Sequence, residues 1–250
     1  MSQFVPLTEN RQPDRLVPLM ARLFDLHIHT TKGSSDSNLS PEDLVLEAER
    51  LGLLGLCITE HSGPWDRHQF EQFASGHNVV LVRAMEVDTD QGHVLAFGLD
   101  RYQAGFERAE ELRRAADAKG GFVVSAHPFR GVLSNPGKVR PYLYKTVADP
   151  LPSRPEEALG HPVFKLVHAL EVANGGTLDR ENAFAMKVAG LLRFPVTGGS
   201  DAHSVNGLGQ CVTAFRDEIH NEAEFLAALH SGKFFPAVGL RSGQLRPYST

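Results

Sequence analysis

Cysteine is nearly missing from this chain. Cys57 and Cys211 are the only two, with no Cys-x-x-Cys pair. That excludes a disulfide scaffold, a cysteine-built zinc site and a dithiol redox centre, and the two residues read as buried free thiols. Long apolar runs are missing too. No stretch approaches the roughly 18 apolar residues of a membrane span, and the first twenty residues, interrupted by Pro6, Pro13 and Pro18, lack the apolar core of a signal peptide. Neither sign of charge dominates: 25 Lys and Arg stand against 30 Asp and Glu, a net charge of -5. This disfavours a general nucleic-acid or membrane-surface binder and leads us to expect a cytoplasmic protein with no membrane partner. Repeats, low-complexity tracts and Gly/Ser linkers are also absent, so residues 1–250 are expected to form a single domain large enough to bury a core.

What the chain does have is histidine. There are 12, and six lie beside carboxylates at the ends of apolar runs, beginning with Phe24-Asp25-Leu26-His27-Ile28-His29. Successive strand side chains point to opposite faces, so His27 and His29 project together while Leu26 and Ile28 pack behind them. Asp25 shares their face and is either a partner that orients an imidazole or an ordinary carboxylate at a strand start. Short apolar segments suited to buried parallel strands occur at 23–28, 54–59, 79–87, 93–97, 122–126, 166–172 and 194–197. Helices are expected at 41–51, where Ser40 caps the start and Gly52 the end, and at 106–119 and 178–189. This alternation favours an α/β barrel or a doubly wound sheet. Residues 131–162 break the rhythm with six prolines and several basic residues. They form either a lid or a surface excursion.

Nearly every strand has a ligand-type residue at one end. Thr59-Glu60-His61 follows the second, Glu86 ends the third, His93 opens the fourth, His127-Pro128 ends the fifth, and the seventh runs into Asp201-Ala202-His203. Asp36, in the loop after the first strand, can fold back over the same face. In a parallel barrel the C-terminal strand ends converge on one rim, which makes these residues neighbours. His93 fits less well, because it opens its strand. His27, His29, Asp36, His61, Glu86, His93, His127, Asp201 and His203 are more donors than one tetrahedral zinc can use, so two or three divalent ions with bridging carboxylates are expected. Three such ions against three carboxylates and one hydroxide leave a surplus of about two positive charges, which suits a phosphate dianion. Each fragment alone is ordinary; their joint recurrence at strand ends makes a chance arrangement improbable. His68, His77, His161, His168, His220 and His230 are expected to be surface or core residues.

The motifs together resemble the PHP family, the polymerase and histidinol phosphatase superfamily of metal-dependent phosphoesterases. Asp25-Leu26-His27-Ile28-His29-Thr30 with Ser35-Asp36 resembles its first motif, Ile58-Thr59-Glu60-His61 its second and Gly198-Gly199-Ser200-Asp201-Ala202-His203 its last; the other pieces fall between in the family's order. Glu60 stands where many members have Asp. The resemblance implies a distorted seven-stranded (β/α)7 TIM-like barrel with a trinuclear zinc, manganese or iron cluster, here as a stand-alone PHP domain with an N-terminal extension at 1–21. A metal-bridging hydroxide attacks phosphorus in such a site, so no Ser or Cys nucleophile is needed. Asp201 or His203 is the expected catalytic proton relay, and Arg130 can grip a substrate phosphate as a bidentate pair. The expected substrate is a small phosphorylated metabolite or a nucleotide, with a nucleic-acid end as a further option. Two alternatives stay open: an amidohydrolase-type metal enzyme acting on an amide or nucleobase, and a non-catalytic metal- or nucleotide-binding domain.

Overall fold

The computed structural model describes residues 21–134, 141–145 and 151–249. Residues 1–20 of the expected N-terminal extension, and Pro136, Lys138, Arg140 and Pro150 of the proline-rich segment, lie outside the described residues. All seven expected strands form, as β1 (Arg22–Ile28), β2 (Gly55–Glu60), β3 (Val80–Thr89), β4 (Gly92–Phe97), β5 (Phe122–Ser125), β6 (Ala169–Asn174) and β7 (Val196–Gly199). Three more follow: β8 (Cys211–Phe215), β9 (Phe234–Val238) and β10 (Arg246–Pro247). The fold is therefore mixed α/β around one ten-stranded sheet in the order β10-β9-β8-β1-β2-β3-β4-β5-β6-β7, and the expectation of seven strands is corrected to ten. Pro236 within β9 and the two-residue length of β10 explain why these strands carry little sequence signal.

The sheet curls back on itself. Beyond β7, Ala202 bridges to Ile28, with His29 N–H donating to the Ala202 carbonyl at 2.9 Å. Thr213 of β8 ties to Gly198 of β7, accepting its N–H at 2.9 Å and donating to its carbonyl at 2.8 Å. The pairing is not uniformly parallel: β3–β4 and β4–β5 are antiparallel. That resolves the position of His93. Because β4 runs back along β3, its first residues lie beside the last residues of β3, and His93 pairs with Asp88.

The helices follow local rules with tertiary adjustments. Helix α1 (Pro41–Leu51) has Ser40 accepting the Asp43 N–H at 3.1 Å and Gly52 in the left-handed region at φ 72°. Helix α2 (Arg67–Ala74) was not expected from sequence. The next, α3 (Ala109–Lys119), starts three residues later than expected, because Arg108 provides no side-chain cap and the Asp90 carboxylate accepts the Ala109 N–H instead, at 2.8 Å. After the short α4 (Pro155–Ala158), α5 (Asp179–Leu192) outruns its expected end and stops at Arg193, φ 53°. Helix α6 (Glu222–Ser231) was also unexpected. It presents the fully buried Phe225 to Phe24, Phe97 and Phe215, with ring centroids 5.5–5.7 Å apart. Burying one such ring contributes roughly 1.5–3 kcal/mol. A second apolar cluster packs under α1 and α2 and a third under α3 and α5. Among the described residues no helix is long and apolar enough to cross a membrane.

His168 is half-buried. Its Nδ1 accepts the Val123 N–H at 3.0 Å and its ring stacks on Phe122 at 4.6 Å. Burial, with Arg113 nearby, pushes its pKa down to about 4. The fold thus favours the neutral ring, and the stability it gives is present above the unfolded value near 6.5 and lost as pH falls through 4. His168→Gln should make the dependence of unfolding free energy on pH shallower in that window, by up to about 1.4 kcal/mol per pH unit. Denaturant titrations at a series of pH values measure this, and equal slopes would remove His168 from the linkage.

Candidate metal centre

Strand β1 carries His27, and His29 follows directly after its end; neither has exposed surface. Their Nε2 atoms converge to 3.0 Å, and each Nδ1 is held from behind. Glu171 of β6 lies 3.1 Å from His27 Nδ1, while Ser34 Oγ lies 3.2 Å from His29 Nδ1 and donates to Glu60 at 2.6 Å. Backing groups of this kind fix ring orientation and keep Nε2 free as a donor.

Glu86, at the C-terminal part of β3 and 3 % exposed, is the hub. Its Oε2 lies 3.3–3.4 Å from His27 Nε2, His29 Nε2 and His61 Nδ1, and its Oε1 lies 2.9 Å from His93 Nδ1 and 3.0 Å from His127 Nε2. Asp201, just past β7, sets Oδ1 at 3.4 Å from both His27 Nε2 and His29 Nε2. At the outer edge Asp36 reaches His61 Nε2 at 3.4 Å and His203 Nε2 at 3.3 Å, and both of those rings stack on His29. All nine residues expected from sequence are thus neighbours. The donor atoms of seven of them form three linked sets, His29/His61/His203, His27/His29/Asp201 and His27/Glu86/His127, each within 4.8 Å.

The backbone bends to achieve this. His127 and Asp201 have φ of 29° and 53°, a region that side-chain-bearing residues enter at a cost. Gly199 is required for a different reason: a Cβ there would meet the His27 Cβ and a Glu171 carboxylate oxygen, both at 2.6 Å. Charges are coupled throughout. Burial alone would raise Glu86 and Asp201, but the surrounding imidazoles, with Arg130 beside Asp201, hold both carboxyls well below the usual range. Burial likewise works against protonating His27, yet Asp201, Glu171 and Glu86 outweigh it and hold that imidazole well above its usual value. His127 moves the other way, lowered by burial and by Arg130. Ionised carboxylates and oriented Nε2 donors are the chemistry a divalent cation needs, and the residues fit one.

Several supporting residues escaped the sequence reading. Glu171 sits inside the apolar strand Ala169–Asn174; besides His27 it accepts the His127 N–H at 2.8 Å and the Asn174 amide at 2.9 Å. A carboxylate within an apolar run was the available signal. Glu60 accepts from Ser34, Thr30 and the Trp65 indole N–H at 2.9 Å, bracing the loop after β1. Asp25 touches no imidazole in this centre. It accepts the N–H groups of Ser200 at 2.8 Å, Gly209 at 3.0 Å and His27 at 3.3 Å, and burial pushes it up to about 6. It therefore anchors the turn that presents Asp201. Arg130 turns into the centre: Nη2 meets Asp201 and, at 2.7 Å, Asn174, while Nε donates to Thr177 at 2.9 Å.

A curled α/β sheet with imidazoles and carboxylates gathered at its strand ends defines the class of barrel-like metal-dependent hydrolases. Within that class the chain belongs to the PHP family, a metal-dependent phosphoesterase family. The PHP domain model matches residues 25–133, and the PHP-associated model matches residues 179–234. The error-prone DNA polymerase of Mycobacterium tuberculosis is 32% identical over 108 residues, which cover 39% of this chain and 10% of the polymerase. The chain therefore spans about a tenth of the length of the curated relatives it matches. In fold it is similar to a two-domain protein from Bacteroides vulgatus containing a predicted PHP-like metal-dependent phosphoesterase, with TM-score 0.63 and 19% identity over 90% of this chain and 68% of that one. It is also similar to the lesion-specific endonuclease Q of Pyrococcus furiosus, with TM-score 0.55 and 19% identity over 85% and 56%.

Glu171→Gln keeps the shape of the side chain but removes the charge behind His27. Metal affinity should fall by about 10–100-fold with the fold retained, as read by competition with a chromogenic chelator. Wild-type affinity would confine Glu171 to a packing role.

Proposed function

We propose that the chain is a metal-dependent phosphoesterase acting on a phosphate ester, either a small phosphorylated metabolite or a nucleotide. The observation that carries this is Glu86, a buried carboxylate touching five imidazoles and belonging to one of three linked donor sets. His27, His29, His61, Glu86, His127, Asp201 and His203 would hold two or three zinc, manganese or iron ions, with Asp36 and His93 at the edges. When bound, such ions supply Lewis acidity toward a phosphoryl oxygen and lower the pKa of water.

The chain's own groups orient and charge the site. Asp201, held well below the usual carboxyl range by the surrounding imidazoles and Arg130, holds negative charge in the centre. His203, 32% exposed in its side chain on the open side, would pass a proton at the leaving oxygen in a cluster that does not take its imidazole as a ligand. The open side lies toward Asp36, His61 and His203, whose side chains are 57%, 37% and 32% exposed. Endonuclease Q among the fold neighbours supports a nucleic-acid end as a further substrate. The middle strands offer Glu86 and His93 to the centre, where an amide-hydrolysing enzyme of this kind usually places a bridging lysine, which weighs against that alternative.

The test is a panel of p-nitrophenyl phosphate, a bis-nitrophenyl phosphodiester and small amides, run on protein reconstituted with each metal and analysed for metal content. More than one ion per chain and ester hydrolysis are expected, and Asp201→Ala and His61→Ala should each lower turnover by at least about a hundredfold. One ion or fewer after reconstitution with each metal, or turnover of amides alone, would overturn the reading.

Arg130 has a second expected part. With Nη2 and Nε engaged, Nη1 has no acceptor among the described residues and is the atom that would meet a phosphate. Arg130→Ala should raise KM with little change in kcat, lowering kcat/KM on the order of ten- to a hundredfold. Metal content should stay constant. A parallel loss of metal would instead assign Arg130 to holding Asp201.

A further inference from the structure

Residues 141–145 interrupt the proline-rich segment with a single 3-10 turn, Tyr142–Tyr144, laid against the β3–β4 hairpin. Three contacts fix it there. Leu143 is 2% exposed and its carbonyl accepts from His161 Nε2 at 2.9 Å; Lys145 pairs with Asp88; and Gly92 lets the backbone approach so closely that a Cβ at that position would sit 3.1 Å from the Leu143 Cα. Leu143 and Tyr144 turn inward, while Tyr142 turns out and is 48% exposed. Its ring centroid lies 4.0 Å from that of His93, tilted by 39°, and 6.5 Å from that of His127. His93 and His127 both contact Glu86 Oε1. A large aromatic ring is thus held in place at the edge of the centre, with much of its surface open to solvent.

We propose that Tyr142 is the platform of a subsite for a flat aromatic group carried by the phosphate ester, such as a nucleobase. The proposal rests on the phosphoesterase reading and names its substrate class. An uncharged phenol ring offers nothing to a phosphate dianion beyond one hydroxyl, whereas its face stacks on any planar base. Its place beside the centre, and not within it, suits the group attached to the phosphate. The three anchors mean that little conformational entropy is lost when that group docks.

The test compares the metal-loaded wild type with Tyr142→Phe and Tyr142→Ala. Two readouts are equilibrium binding of a nucleoside 5′-phosphonate, which carries a base but is not turned over, and KM for a nucleoside monophosphate against an aliphatic phosphate of similar charge. Tyr142→Ala should weaken phosphonate binding and raise the nucleotide KM by about five- to a hundredfold. The aliphatic KM should stay within about twofold, and Tyr142→Phe should retain wild-type behaviour, because the ring and not the hydroxyl does the binding. Equal changes for both esters, or a Phe variant as weak as Ala, would overturn the subsite while leaving the phosphoesterase reading intact. Loss of metal in Tyr142→Ala would also overturn it, making the ring a support for His93. Hydrolysis of no ester at all would instead strike the reading on which it rests.

Discussion

An ionised carboxylate taken out of water loses several kcal/mol of hydration, and Glu86 is placed almost wholly out of water. It stays ionised because five imidazoles, from β1, β4 and the loops just after β1, β2 and β5, surround it. Removing any one of these elements would leave the buried charge short of a partner. The curl of the sheet, the hairpin that turns His93 back toward Glu86 and the closure of β1 onto Ala202 all meet at this carboxylate.

Around that hub lies a ring of groups that never face the centre's interior but decide how its donors point. Glu171 and the Ser34–Glu60 pair hold the His27 and His29 imidazoles from behind. Asp25 fixes the turn at Ser200, so that Asp201 can adopt a left-handed backbone and aim its carboxylate at both Nε2 atoms. Gly199 makes room for His27. Fixed donors and ionised carboxylates prepare the site for cations before any cation arrives, which is what a metal-dependent phosphoesterase family requires of its scaffold.

The centre is not symmetric. Its inner part, around His27, Glu86 and His127, is sealed, while Asp36, His61 and His203 face outward. The 141–145 turn forms a wall on the His93 side, and Arg130 reaches in from the loop after β5. On the proposed reading, substrate chemistry and substrate selection would draw on different parts of the chain, the first on the histidines and carboxylates at strand ends and the second on the irregular segments between strands.

Much of this was legible in the sequence, for local reasons. A His-x-His pair at the end of an apolar run can only project one way, Ser40 and Gly52 mark the ends of α1, and seven apolar segments with polar ends announce strands that converge at one rim. Those features rest on the strand period of two and on capping chemistry, which act within a few residues. The rest depended on contacts between distant segments. Whether β4 ran parallel to its neighbour, and so whether His93 faced Glu86 or the far end, was decided by pairing with β3. Three further strands lengthened the sheet from seven to ten, through partners that their own short sequences do not reveal. Asp25 shared a face with two ligand-type histidines yet was drawn to Ser200 and Gly209, because those backbone N–H groups needed an acceptor. Glu171 looked like a stray charge in a buried strand until the fold set it 3.1 Å behind His27. The sequence by itself determined which groups could bind cations and roughly where the chain would turn. Only the tertiary structure decided which nitrogen of His27 and of His29 faced the centre, since that choice belongs to the group standing behind each ring.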